Sequence, residues 1–302
     1  MMQKLLINIC LLCGAVSSVN SCIRDRIEPC PPLSVWVGVT DKNYFNVNNI
    51  IMEEPVDESL PFNRYISKLH YSLKDYETGE IIVENEVIPQ DNSDKTYHIK
   101  FCDCIPHGKY ILTVFATGTS NDSPLVFDET GNNLQLHPEN DENADSFLTT
   151  DTLVYDAWNY NFNVGLERAK GKLLVLIENM PSECTRITHS INNLYEIVTP
   201  HLNYEGFSFV KKSFLANDSD KESYLTETLL SPSANNIESD YSIMFVNSEG
   251  TLLPESEHTG IKINMKRNKL TLIRYKYDSA GKLVISIFVN DQWEVIHGME
   301  ID

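Results

Sequence analysis

Histidine and cysteine side chains that could bind a metal or form a disulfide lie close together between residues 98 and 107. The segment reads His98-x3-Cys102-Asp103-Cys104-x2-His107. On an extended strand His98, Cys102 and Cys104 would share one face, and such a set could bind zinc. His107, however, falls within a turn signal, and an exported protein tends to oxidise its thiols. The pattern therefore favours structural cysteines over a zinc site.

Cys30 is a third cysteine that could take part in a disulfide. Cysteines two residues apart on a strand point the same way but do not readily bridge. The sequence therefore favours a bond from Cys30 to Cys102 or to Cys104. Such a bond would fasten the N-terminal segment to the first domain.

Asp141, Asn143 and Asp145 are spaced like the opening of a calcium-binding loop. The glycine and the terminal glutamate that complete such a loop are missing. An acidic loop surrounded by solvent is the favoured interpretation.

Motifs of common catalytic sites are missing from the sequence. It has no Gly-x-Ser-x-Gly elbow, no phosphate-binding glycine loop and no pair of histidines at helical spacing. We therefore expect no enzymatic activity, no cofactor and no metal. With 24 basic against 43 acidic residues the net charge is −19, which argues against binding to nucleic acid.

The N-terminus has the layout of a bacterial lipoprotein signal peptide. A short start containing Lys4 precedes an apolar segment from Leu5 to Val16, which is too short for a membrane span. Val19-Asn20-Ser21-Cys22 then resembles a lipobox, in which Cys22 becomes the lipidated first residue. The alternative is an ordinary signal peptide with an incidental cysteine. The charged residues that directly follow Cys22 favour the lipoprotein, because they would form a solvated tether.

Alternating apolar and polar residues predict β-strands throughout the mature chain, and no segment before residue 160 has a helical period over three turns. The sequence predicts an all-β protein with two tandem β-sandwich domains. The predicted divisions are a signal peptide at 1–21, a tether at 22–32, an N-terminal sandwich at 33–163 and a C-terminal sandwich at 164–302. The polar segment from Asn43 to Leu60 is predicted to be a loop.

Four features of the chain form a recognisable set: the tether from Cys22 to Pro32, the turn from Ile105 to Tyr110, the segment from Arg168 to Ile177, and Arg267-Asn268-Lys269-Leu270-Thr271 with Trp293-Glu294. Together they resemble the FimB-type fimbrial anchor lipoproteins of Bacteroidales, and the resemblance covers nearly the whole mature chain. It implies two transthyretin-like, Greek-key sandwiches on a surface-exposed lipoprotein of the cell outer membrane. Arg24 and Arg26 depart from the more acidic tether that is usual in this family.

The resemblance also implies a function and its partners. The protein would anchor a fimbria, with fimbrial shaft subunits as partners, through assembly in which a strand of one subunit completes the sandwich of the next. This role would also limit fimbrial length. The C-terminal segment with Trp293, Val295 and Ile296 is the candidate strand for exchange, and the sequence leaves open whether it is donated or stays in its own sheet.

A surface lipoprotein that binds glycans is the alternative function, since fold alone does not determine function. Exposed aromatic side chains on a loop rim would favour it. Trp36, Trp158 and Trp293 all lie in strand-like contexts. Packing in the core is the commoner explanation for such residues.

Overall fold

β-Strands form nearly all the regular structure of the computed structural model, which describes residues 31–90, 93–102, 104–119, 123–217, 222–278, 283–289 and 292–298. Single turns of 3-10 helix account for the rest, and no helix in these ranges is long and apolar enough to cross a membrane. The strands are β1 (Ser34–Val39), β2 (Ile66–Asp75), β3 (Ile81–Val87), β4 (Tyr97–Lys100), β5 (Gly108–Gly118), β6 (Leu134–Gln135), β7 (Ser146–Tyr155), β8 (Asn161–Arg168), β9 (Gly171–Glu178), β10 (Arg186–Leu194), β11 (Ile197–Val198), β12 (Tyr204–Glu205), β13 (Ser208–Leu215), β14 (Ser223–Leu230), β15 (Ser239–Val246), β16 (Leu252–Ile263), β17 (Leu270–Tyr277), β18 (Leu283–Val289) and β19 (Gln292–Gly298).

The first sandwich is a seven-stranded sheet that curls around its own core, in the order β3-β2-β5-β7-β8-β1-β4. β7 and β8 are joined only where Phe147 and Leu148 pair with Arg168 and Glu167, so the sheet bends there into two layers. Alternation along β1 buries every second residue from Val35 onward, as expected of a strand with one face on the core.

The second sandwich has two separate sheets. A five-stranded sheet, β14-β9-β17-β18-β19, packs on a four-stranded sheet, β13-β10-β15-β16. Aromatic contacts join the two layers, with the ring centroids of Phe245 and Tyr275 6.2 Å apart and those of Tyr241 and Tyr275 6.4 Å apart. The prediction of an all-β chain built from sandwiches is confirmed.

The junction between the sandwiches differs from the predicted boundary near Val164. β8 runs through that position and pairs in parallel with β1 from Asn161 to Leu166, so it belongs to the first sheet. Only Ala169 and Lys170 separate β8 from β9. Because β9 follows β8 without a linker, no change in amino-acid composition marks the boundary between the two sandwiches in the sequence.

Pro31, where the described chain begins, and the second sandwich lie at opposite ends of the first sandwich. The chain enters at Pro31, whose carbonyl accepts a hydrogen bond of 2.9 Å from the Tyr155 hydroxyl. The turns that follow β2, β4 and β7 lie at the same end as Pro31. The last residues of β2 and β7 pair with the first residues of β5, and the first residue of β1 pairs with the last residue of β4. The segments that reach the second sandwich leave from the other end.

Candidate assembly edges and the junction between the sandwiches

The free edges of the sheets are the places where a strand from another molecule could be added. In the second sandwich, β13 and β14 close one side. Lys212 Nζ donates to the Glu227 carbonyl at 2.9 Å, and the Tyr224 hydroxyl donates to the Leu215 carbonyl at 3.3 Å. The sheet that begins with β14 has five strands and the sheet that begins with β13 has four. On the opposite side of the sandwich the five-stranded sheet therefore extends one strand further, and that strand is β19.

The predicted exchange residues Trp293, Val295 and Ile296 all lie on β19. The strand pairs antiparallel with β18, with Trp293 opposite Phe288 and Val295 opposite Ser286. In this structure the C-terminal strand therefore stays in its own sheet, at the edge. From the registers of β17 and β18, β19 starts on the side of the first sandwich and runs away from it.

The predicted cysteine sites have different outcomes. Cys22 and Cys30 lie outside the described residues. Cys102 and Cys104 are bonded to each other, with their Cα atoms 5.2 Å apart, and not to Cys30. The argument against a bridge between neighbours assumed an extended strand. Instead, β4 ends at Lys100 and the chain turns back, with the Ile105 amide donating to the Cys102 carbonyl at 3.4 Å.

The two histidines of the same cluster contact aromatic rings. The His98 ring stacks on Trp36 with centroids 3.8 Å apart, and the Ser34 hydroxyl bonds to its Nε2. His107 meets Tyr155 edge-on at 4.9 Å. Cys102 and Cys104 bind each other, so their sulfurs are not free thiolates for a zinc ion.

Two tryptophans that were expected in the core are at the surface. Trp36 is 37% exposed because it occupies an outward position of β1. Trp158 is 89% exposed because it lies in the turn between β7 and β8, where no strand directs it inward. The third, Trp293, belongs to the part of β19 whose side chains are not described.

The acidic segment predicted to be solvated is partly buried at the junction. Asp145 and Asn143 are both almost inaccessible. The Arg168 guanidinium donates from Nε to Asp145 Oδ2 at 3.1 Å. Burial of a carboxylate is tolerated when an opposite charge pairs with it, and that partner lies 23 residues further along the chain.

Arg168 connects both sandwiches. Its Nη1 donates to Asn268 Oδ1 at 2.9 Å, and its guanidinium carbon lies 4.2 Å from the ring centroid of Tyr44. Arg267, from the second sandwich, donates to Asp41 Oδ2 at 2.8 Å, and the Arg168 amide donates to the same oxygen at 2.9 Å. These charge-assisted bonds fix the direction in which β8 leads into β9.

The first part of the segment predicted to be a polar loop, Asn43 to Leu60, covers the outer face of the second sandwich. Tyr44, Val47 and Ile50 are buried there, in a cluster with leucines of β9 and β17. Strand β9 is thus covered on both faces, which explains its nearly unbroken apolar sequence.

A second connection runs through Glu142, which follows β6. Its Oε1 accepts the Leu229 amide at 2.6 Å, and its Oε2 pairs with Lys212. The Glu142 carbonyl accepts from Lys170 Nζ at 2.6 Å. Burial lowers the pKa of Lys170 to about 7, against the attraction of nearby Asp145. β6, which lies between β5 and β7 in the chain, pairs with β11 in a small three-stranded sheet with β12, so this sheet also joins the two halves of the chain.

These junction residues were missed in the sequence. Only one signal could have indicated them: the polar run around Arg267 and Asn268 between two apolar strands. Asn268 is fully buried with φ 49°, a left-handed conformation that asparagine tolerates better than most residues.

No protein-family model matches the sequence, and no curated protein is significantly similar to it. Solved structures do share its fold. The chain is similar to a candidate adhesin from Bacteroides ovatus, at 12% identity over 92% of this chain and 98% of that chain, with a TM-score of 0.57. It is also similar to a candidate adhesin from Bacteroides thetaiotaomicron, at 13% identity over 90% and 100%, with a TM-score of 0.56.

A weaker likeness, with a TM-score of 0.46, is to the fimbrial anchor protein Mfa2 from Porphyromonas gingivalis, at 12% identity over 89% of this chain and 100% of that chain. The chain therefore has the all-β fold of Bacteroides adhesin structures along nearly its full length.

Proposed function

We propose that the protein is a non-catalytic lipoprotein that anchors a fimbria to the outer membrane at the cell surface. Lipid on Cys22 holds the N-terminal end in the membrane. Fimbrial shaft subunits bind at the far end, and growth of the fimbria ends there. The fold shared with candidate adhesins of Bacteroides supports a role in fimbria-associated adhesion.

The position of β19 carries this proposal. It is the surplus edge strand of the second sandwich, and it runs away from the first sandwich, whose opposite end receives the tether. A molecule held by its N-terminal end thus presents an open sheet edge at a distance from the membrane. Added strands bind such an edge through main-chain hydrogen bonds, while alternate side chains select the partner.

Deletion of residues 292–302 in the native bacterium tests the assembly role. We expect the protein to stay in the outer-membrane fraction while fimbriae are shed into the medium. A matched control changes β3, an edge strand of the first sandwich, by Ile82→Ser, and should leave fimbriae attached. Fimbriae of normal length retained on cells with the deletion would contradict the role of β19.

Cys22→Ala tests the membrane attachment separately. This variant should lose acylation and leave the membrane fraction, because the acyl chains supply the binding energy of the anchor. Persistent partitioning of the variant into a detergent phase would refute lipidation at Cys22. The assembly role of β19 would not be affected by that result.

Glycan binding is the second candidate function, and the Trp36–His98 stack favours it. A half-exposed aromatic stack on an outer sheet face has the chemistry of a sugar platform. Loss of glycan-array signals in Trp36→Ala, but not in Phe207→Ala, which changes an exposed aromatic residue of the second sandwich, would support this function for the outer face of β1.

A further inference from the structure

The end of the first sandwich that receives the tether has an exposed apolar and aromatic surface. We call it the tether-end surface, and its residues are Tyr76, Ile81, Lys109, Val154 and Trp158. Single exposed apolar residues are normal, but several at one end of a domain indicate a contact.

The most exposed of these side chains is held out by a rigid turn. Asp156 Oδ1 accepts the amides of Trp158 at 2.7 Å and of Asn159 at 2.8 Å, and the Asp156 amide donates to the Asn159 carbonyl at 3.0 Å. Three hydrogen bonds thus stabilise a turn whose backbone conformation leaves the Trp158 ring in solvent.

The rest of the surface combines apolar groups with a cation. Lys109 Nζ lies 3.4 Å from the ring centroid of Tyr76, and the Tyr76 amide donates to the Lys109 carbonyl at 3.0 Å. Val154, which is 53% exposed, pairs with Lys109 across β5 and β7. An aromatic ring with a long-chain amine above it suits an environment that is apolar on one side and polar on the other.

The tether brings this surface close to a bilayer. The Tyr155 hydroxyl bonds to Pro31, and Trp158 is only three residues beyond Tyr155. Cys22 lies nine residues before Pro31. A fully extended chain spans at most about 3.6 Å per residue, so Pro31 stays within about 30 Å of the lipidated cysteine.

We propose that the tether-end surface is a membrane contact, in which Trp158 enters the boundary between headgroups and acyl chains of the outer membrane. The inference rests on the proposed lipidation of Cys22. Tryptophan and tyrosine concentrate at that boundary in membrane proteins, and a lipid anchor is strengthened by a second attachment. The contact fixes the orientation of the sandwiches relative to the membrane, so that β19 faces outward.

The contact is apolar and not ionic. Asp75 and Asp156 accept hydrogen bonds from their own turns, and Glu77 and Glu80, between β2 and β3, add negative charge at this end. An attraction to anionic lipid would need a surplus of cations. Glycans or proteins outside the cell are less suitable partners, because they would meet the opposite end of the anchored molecule first.

Quenching of tryptophan fluorescence by brominated phosphatidylcholine tests the proposal on the full-length protein, expressed with its signal peptide in the native bacterium and reconstituted with vesicles. We expect quenching in the wild type, loss of most of it in Trp158→Phe, and retention in the matched variant Trp36→Phe. Replacing part of the phosphatidylcholine with phosphatidylglycerol should not increase it.

Co-flotation with the vesicles distinguishes a failure of the membrane contact from a failure of the lipid anchor. Protein that floats but is quenched equally with and without Trp158 would overturn the membrane contact while leaving the lipid anchor intact. Protein that does not float in any variant would overturn both the lipidation and this inference. Protection of Trp158 by added mucin glycans, without quenching by lipid, would overturn the contact in favour of glycan binding.

Discussion

The side chain of Asn46 hydrogen-bonds both backbone groups of Leu270, which is 224 residues away. Nδ2 donates to the Leu270 carbonyl, and Oδ1 accepts the Leu270 amide, each at 2.9 Å. One asparagine thus acts like a neighbouring strand at the start of β17. It satisfies backbone groups that the loop from the first sandwich would otherwise cover and leave without partners.

Asn46→Ala should lower the free energy of unfolding by about 1–3 kcal/mol, because it leaves two backbone groups without partners. Urea denaturation followed by tryptophan fluorescence measures the change. Asn48→Ala, at an exposed position of the same loop, is the matched control and should be nearly neutral. Equal stability of the two variants would show that the Leu270 bonds do not hold the loop.

Arg168→Met should have a larger effect. It removes the charge but keeps an apolar stem, and so leaves Asp145 as an unpaired buried carboxylate. Loss of one partner of a buried pair costs about 3–5 kcal/mol. We expect calorimetry to show two separated unfolding transitions, because the two sandwiches share this residue. Arg186→Met, at an exposed arginine, should keep the wild-type profile, and the same profile in Arg168→Met would contradict the coupling.

Gly171 marks a close approach of two backbones at the start of β9. A Cβ atom there would lie 2.3 Å from the Lys266 carbonyl oxygen and 2.8 Å from that of Lys269. Gly171→Ala should therefore destabilise by about 1–3 kcal/mol or more, since backbone must move. In Gly38→Ala the nearest atom would be 3.6 Å away, so this control should unfold like the wild type. A neutral Gly171→Ala would show that the turn at Lys266 moves freely.

Local patterns predicted the strands well, because alternation reports which face of a strand is buried. Apolar and polar residues alternate along Leu270–Tyr277 and Leu283–Val289, for example, and these segments form β17 and β18. The same reasoning failed for Tyr44 and Ile50, since their burial depends on leucines more than 120 residues away in the chain.

The candidate site was less predictable than the fold. The burial of Asp145 depends on Arg168, and the exposure of Trp158 depends on a turn of only a few residues. The first partner lies 23 residues away in the chain, and the second effect comes from a local turn that the alternation of a strand does not report. The bond between Cys102 and Cys104 likewise depends on where β4 ends, which the strand pattern leaves uncertain by a few residues.

His189 predicts an acid sensitivity of the second sandwich. It lies between Phe214 and Tyr241, and neither ring nitrogen has a hydrogen-bond partner among the described residues. Burial, together with the charge of Lys212, lowers its pKa from 6.5 to about 3. Between these values the unfolded chain binds a proton that the folded protein does not. The free energy of unfolding therefore falls as pH drops below 6.5, by about 1.4 kcal/mol per pH unit for this group.

His189→Leu should remove this contribution, so its stability relative to the wild type should rise as the pH is lowered from about 7.5 to about 4.5. Urea denaturation at both pH values measures the difference. His201→Leu, at an exposed histidine, should show no such rise. Parallel pH dependences in wild type and His189→Leu would mean that His189 is protonated in the folded protein.

Peptide mapping without reduction distinguishes the two possible cysteine pairings. Trypsin releases residues 101–109 as one peptide that contains both Cys102 and Cys104, and residues 27–42 as one that contains Cys30. The bond in the structure predicts that peptide 101–109 is recovered alone, lighter by two hydrogens than its reduced form. The Leu33 carbonyl accepts the Phe101 amide at 3.1 Å, so the start of the described chain lies beside the segment that leads into this turn. A cross-linked product of peptides 27–42 and 101–109 would restore the pairing inferred from sequence. The Cys184 thiol, which is buried, should be alkylated only after unfolding.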